Sequence, residues 1–284
     1  MKRFIYKVLV YSVVVLLLLL PNELYNMYIV DNFEHLAGAE VRAAVKKSKT
    51  KINKKIKTII FGDSTGHSLY PTENEYENIV SMTCNQAITM AGHYFLLKNY
   101  IENNADNIPE EVILLYTPFS LCNDVDEYAY QYFLKSFPVL EYKSIYTNHL
   151  SSRIKSIPLY WTANLPFIQT SNYTPRISVP KQQSIQAVSQ ITLEYLLLID
   201  SLTKAYDISF SMYATPIRDD KKNEVIEIQD DFKTIAKEHL NHILLPYFES
   251  VVYYPHHLFF DRVHLYNDFI PLDYLNILKD GMDE

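Results

Sequence analysis

Lys57-Thr58-Ile59-Ile60-Phe61-Gly62-Asp63-Ser64 is a short apolar run that stops at a glycine and hands over to an acid and a hydroxyl. Residues 57–61 predict a buried strand, because an unbroken β-branched and aromatic run suits a strand covered on both faces. Gly62 permits the sharp turn that presents Ser64 at the strand end. A hydroxyl at the carboxyl end of a strand is placed where ligands bind in open α/β folds.

Outward from this stretch, strands and helices alternate. Residues 79–87 predict a second strand. Residues 92–104 predict a helix with Phe95, Leu96, Tyr100 and Ile101 on one face, and Glu111–Tyr116 a third strand. A long helix follows over 181–206, with Ile185, Val188, Ile191, Tyr195, Leu196, Ile199 and Leu202 on its core side. Residues 208–214 are a fourth strand closing in Thr215-Pro216, 224–248 an amphipathic helix, 250–253 a fifth strand and 267–278 a last helix. Such alternation argues for a parallel sheet covered on both faces. Residues 126–180, rich in Tyr, Ser and Pro and holding Trp161, break the pattern and read as an insertion. It emerges at the carboxyl edge of the sheet, as a lid or substrate wall or as a packing embellishment.

The N-terminus has its own logic. Residues 5–20 are almost wholly apolar and end at Pro21, with Lys2, Arg3 and Lys7 in front. No small-x-small cleavage site follows Leu20, and the continuation to Val30 extends the run toward the ~20 residues that span a bilayer. Residues 1–30 therefore read as an uncleaved signal anchor. Cations precede it while Glu23, Asp31, Glu34 and Glu40 follow, which puts the N-terminus in the cytoplasm and the remainder outside it, in a single-pass arrangement. Seven lysines crowd residues 46–57. They are taken as part of a solvated tether over 31–56, the sharper alternative being contact with anionic headgroups or an acidic polymer. Residues 57–284 are then a single domain.

Composition narrows the partners. A net charge of −7 with 24 Tyr and 14 Phe gives a mildly acidic surface rich in amphipathic rings and excludes nucleic acid as the expected partner. Cys84 and Cys122 are too few for a disulfide scaffold; buried free thiols are the default and one bridge stays open. Asn172-Tyr173-Thr174 fits a glycosylation sequon, a pattern common by chance.

Some 200 residues after Ser64 the chain reads Asp261-Arg262-Val263-His264. A serine hydroxyl is a poor nucleophile at neutral pH and needs an imidazole within reach, itself oriented by a carboxylate. His264 is the candidate base, and Asp261, three residues earlier, can fold back onto its other ring nitrogen. The bland alternatives are a helix-capping serine and a surface loop. His67 is either a substrate contact or, as taken here, an exposed helix position, and His256-His257 a solvent-facing loop. No metal and no cofactor is expected.

The Gly62-Asp63-Ser64 and Asp261-Arg262-Val263-His264 blocks, in this order, resemble the SGNH (GDSL-type) hydrolase family, and the anchored topology resembles its membrane-bound branch that modifies surface polymers. The resemblance covers residues 57–279 as an order of elements and is tight only at the two ends, where His264-Leu265-Tyr266-Asn267 continues it. It implies a three-layer α/β/α sandwich with a five-stranded parallel, flavodoxin-like sheet, and ester chemistry by Ser64, Asp261 and His264, with Asp63 holding the turn. The family supplies two more oxyanion donors. Here the glycine is Gly92 with a shift, or its place is taken by Met90; the asparagine is Asn123, in an Asn123-Asp124 pair set far from its strand and lacking a preceding glycine. Losing one such donor costs about 100- to 1000-fold in turnover, although backbone N–H groups, that of Ser64 included, can substitute.

Two functions follow as expectations. One is an esterase or O-acyltransferase acting through acyl-Ser64 on O-acyl groups of a surface polysaccharide, with water or a sugar hydroxyl as acceptor. The other is an inactive protein of the same fold that binds surface glycans or assists their assembly, with envelope assembly proteins as partners.

Overall fold

The computed structural model describes residues 1–29, 38–125, 129–164, 188–235, 240–271 and 274–276. The chain opens with helix α1 (Lys2–Ile29), which runs straight through Pro21. Its stretch Lys2–Pro21 is long and apolar enough to cross a membrane, a length and composition that a signal sequence shares.

The domain is built on a parallel sheet of four strands, β1 (Thr58–Gly62), β2 (Ile79–Thr83), β3 (Glu111–Tyr116) and β4 (Ser209–Ala214), in the order β2-β1-β3-β4. Period-two alternation sorts their side chains to two cores. Ile59, Phe61, Val80, Met82, Val112, Leu114 and Tyr116 enter the larger; Ile60, Ile113, Leu115 and Tyr213 enter a smaller one with Tyr70, Tyr274 and Leu275. Both faces are thus covered, which is why β1 and β3 read as unbroken apolar runs. Gly62 sits opposite Thr83 on one side and Leu115 on the other.

After β1 come α3 (Ser64–Leu69) and, beyond β2, α4 (Thr89–Asn103). The expected second strand over 79–87 is shorter because the chain turns at Asn85, whose side chain accepts from the Ala87 N–H at 2.9 Å. In the insertion, α5 (Val139–Tyr142) and α6 (Asn148–Ser156) follow a π-helical turn, Tyr130–Leu134. Its rings are core: Phe137 and Tyr142 lie 5.3 and 5.2 Å from Phe95 of α4. Over 129–157 the insertion is packing; residues 165–180, and with them Asn172, lie outside the described residues. Trp161 is 54% exposed.

The later elements differ in detail. The helix expected from 181 is α7 (Gln190–Ala205), capped by Ser189, whose hydroxyl accepts from Thr192 N–H at 3.1 Å; residues 181–187 lie outside the described ones. The helix expected over 224–248 is two, α8 (Lys222–Ile235) and α9 (Asn241–Glu249). The expected fifth strand does not join the main sheet: β6 (Tyr253–Tyr254) pairs instead with β5 (Ile217–Arg218) in a two-residue parallel ladder. Of the helix expected over 267–278, Asn267–Phe269 is a single 3₁₀ turn and residues 274–276 are helical.

The tether is the largest correction. Residues 39–49 form helix α2 (Ala39–Lys49), with Val41, Ala44 and Ser48 buried against the domain. The strand leading on to β1 is stitched down by two asparagines. Asn104 accepts from Ile52 N–H at 2.7 Å and donates to Thr50 O at 3.2 Å, and Asn107 donates to Lys54 O at 2.7 Å. Ile56 is fully buried. Four of the seven lysines face acids: Lys49 meets Glu141 at 2.5 Å, Lys55 meets Glu110 at 3.0 Å, and Lys51 and Lys54 meet Asp106 and Glu75. Pairing of this kind takes away much of the charge an anionic surface would need.

Candidate active site

The turn after β1 is built to a tight tolerance. A Cβ on Gly62 would fall 2.5 Å from the Leu115 carbonyl oxygen, and one on Gly66 2.7 Å from the same atom. Only glycine lets the turn and α3 press this closely on β3.

Asp63 is fully buried and all its capacity goes into structure. One carboxylate oxygen accepts from the N–H of Thr65 (2.9 Å) and Gly66 (3.2 Å) and from the Thr65 hydroxyl (2.5 Å); the other accepts from Thr117 N–H at 3.0 Å. Because the Thr65 hydroxyl donates to the carboxylate, it accepts from Thr215, 2.8 Å away. The residue before Ser64 thereby caps α3 and ties the ends of β1, β3 and β4 together. His67 N–H bonds to the Asp63 carbonyl at 2.8 Å. Among the described residues this leaves the Ser64 N–H as the first-turn donor of α3 without an acceptor, beside its own hydroxyl.

Ser64 Oγ lies 3.0 Å from His264 Nε2, and His264 Nδ1 lies 2.8 Å from Asp261 Oδ2. The second Asp261 oxygen accepts from the N–H of Val263 and His264 at 2.8 and 2.7 Å. Burial pushes the Asp261 carboxyl up, but these two N–H groups and the His264 ring outweigh it and hold it below the ordinary carboxylate range. The loop is pinned from several sides. Phe260 stacks on the His264 ring at 5.6 Å, Arg218 donates to the Asp261 carbonyl at 3.1 Å, and Arg262 pairs with Glu224 while lying 4.7 Å over the Phe119 ring.

The serine opens onto a cavity of about 370 Å³ lined by Ala39, Glu40, Ala43, His67, Glu73, Cys84 and Asn85. His67 is thus on the cavity wall, its Nε2 2.9 Å from Glu73. Neither Gly92 nor Asn123 lines it. Gly92 lies inside α4, where a Cβ would meet Ile88 at 2.6 Å, and Met90 is buried in the core. The Asn123 carbonyl accepts from Ser189 at 2.7 Å, its amide nitrogen is buried beside the Tyr116 hydroxyl without a partner among the described residues, and Asp124 pairs with Arg153 at 3.2 Å. Asn85, which the sequence reading missed, lines the cavity while its side-chain oxygen caps the next turn. The expected length of β2 concealed it.

His256 and His257 are exposed, with His256 N–H on Asp219 at 3.0 Å. Cys84 is buried and Cys122 exposed, both free. Among the described residues no three His, Cys, Asp or Glu side chains converge as metal ligands would. Compared with models of known families, with curated proteins and with solved structures, the chain finds no match.

Proposed function

We propose that this chain is a membrane-anchored, extracytoplasmic serine esterase or O-acyltransferase of the SGNH type, acting through acyl-Ser64 on O-acyl groups of a surface polysaccharide. The observation that carries it is the unbroken relay Ser64–His264–Asp261, at 3.0 and 2.8 Å, opening on a cavity. Ser64 Oγ attacks the ester carbonyl while His264 Nε2 takes its proton, and Asp261 steadies the imidazolium that forms. The Ser64 N–H receives the oxyanion, with the Asn85 amide within the same cavity as a second donor. His264 then protonates the departing alcohol, and deprotonates the water or sugar hydroxyl that takes the acyl group from Ser64.

The sheet order β2-β1-β3-β4 supports a flavodoxin-like arrangement in which β6 is a shortened fifth strand displaced onto β5. Lys2, Arg3 and Lys7 ahead of the apolar part of α1 support an anchor with its N-terminus in the cytoplasm. Envelope assembly proteins are the partners that suit this position.

A second reading, a glycan-binding protein without turnover, is favoured by one observation: the two expected oxyanion donors, Gly92 and Asn123, do not line the cavity. Labelling of the full chain in detergent micelles by a fluorophosphonate decides between them. An active serine labels in the wild type and in neither Ser64→Ala nor His264→Ala; an unlabelled, folded wild type leaves the binding protein.

A further inference from the structure

The cavity beside Ser64 carries an uneven charge. Two carboxylates, Glu40 and Glu73, line it against one basic ring, His67, which already meets Glu73 at 2.9 Å. Among the described residues no lysine or arginine lines it. Lys47, on the same helix as Glu40, turns its ammonium onto the carbonyls of Thr72 and Asn74 instead. Glu40 is half-buried and, among the described residues, makes no hydrogen bond or ion pair. On either side of it along α2, Ala39 and Ala43 take up little room.

We propose that this cavity is the substrate subsite of Ser64 and that Glu40 sets its charge selectivity, admitting esters that carry hydroxyl or ammonium donors near the reacting carbonyl and turning away anionic ones. The inference rests on the serine-hydrolase reading above and narrows its substrate class. A carboxylate accepts and cannot donate, so Glu40, which meets no side-chain donor among the described residues, is left to accept from an incoming hydroxyl or ammonium. A substrate carboxylate or phosphate would bring a like charge toward Glu40 and Glu73 where water screens it less than in bulk. Because the wall is α2, the selectivity is supplied by residues that precede the first strand of the sheet.

The test uses the full chain in neutral detergent and three 4-nitrophenyl esters of equal acyl length, ending in a hydroxyl, a trimethylammonium or a carboxylate. Active sites are counted by labelling with an uncharged fluorophosphonate. The expected wild-type kcat/KM for the hydroxyl and trimethylammonium esters exceeds that for the carboxylate ester by about tenfold or more; the first two compared show which donor the subsite prefers. Glu40→Gln narrows the gap and Glu40→Lys reverses it. Equal use of all three esters by labelled wild type overturns the inference, as does an order unchanged in both variants. A wild type that neither labels nor cleaves any ester removes the serine-hydrolase reading and this inference with it.

Discussion

The buried carboxylate of Asp63 holds the Thr117 N–H at 3.0 Å, so the residue beside Ser64 fastens the end of β1 to the end of β3 while capping α3 with its other oxygen. In Asp63→Asn one of those oxygens becomes an amide nitrogen facing an N–H, donor against donor. The expected cost is about 2–4 kcal/mol of stability, read as a lower urea midpoint for the full chain in detergent, together with slower fluorophosphonate labelling of Ser64. A midpoint equal to wild type would show that the carboxylate holds nothing.

Asp261→Asn should separate chemistry from stability. Asp261 is on an exposed loop, and among the described residues its carboxylate accepts hydrogen bonds from the His264 ring and two neighbouring N–H groups and lies in the field of Arg218. Ester turnover is expected to fall about 10²- to 10⁴-fold, since the amide can no longer steady the imidazolium or fix its tautomer, while the urea midpoint stays close to wild type. A fall in both by similar measure would make Asp261 a structural residue.

His93 predicts how stability responds to acid. Its ring is fully buried between Phe61 and Tyr116 with both nitrogens unpaired among the described residues, and burial lowers its pKa from 6.5 to about 3. The unfolded chain then binds more protons than the folded one between those values, so this contribution is complete above pH 6.5 and is lost as pH falls below it, at about 1.4 kcal/mol per unit. Urea titrations at pH 7 and pH 5 should show a smaller acid loss in His93→Phe than in wild type. Parallel losses would mean that water reaches the ring.

Truncation tests the reassignment of the lysine-rich segment. A chain beginning at residue 38 keeps α2, and its circular dichroism and protease resistance should be those of a folded domain. One beginning at residue 57 exposes the ground under Val41, Ala44 and Ile56 and leaves Asn104 and Asn107 without their partners, a loss of about 5 kcal/mol or more. It is expected to aggregate. A soluble, folded product from residue 57 would restore the tether.

The parts legible in the sequence were those with loud local signals. The run from Thr58 to Phe61, the turn at Gly62 and the apolar Glu111–Tyr116 strand announce themselves, and the three residues of Asp261 through Val263 fix how His264 is oriented. Helix α2 stayed hidden because its buried stripe is Val41, Ala44 and Ser48, two of them barely apolar, set among lysines that neutralise acids distant in the chain. Asn85 was masked by Gln86-Ala87-Ile88, which prolongs a strand-like pattern past the actual turn. Glu40 was read only as a charge following the anchor; its place opposite Ser64 comes from tertiary packing that no local pattern encodes. The expected strand over 250–253 is not formed as such because only Tyr253 of that segment, with Tyr254 after it, enters a ladder, and the partner is β5.

The 200 residues between Ser64 and His264 also have a meaning in time. During synthesis at about 5–20 residues per second, the serine, its capping aspartate and the α2 wall all emerge roughly 10–40 s before the imidazole that completes the Ser64–His264–Asp261 relay. Through that interval the hydroxyl sits at a finished strand end as an ordinary alcohol, inert toward whatever esters surround the nascent chain. On the serine-hydrolase reading proposed above, reactivity arrives only with the Asp261–His264 loop, so a chain interrupted before it is released unarmed.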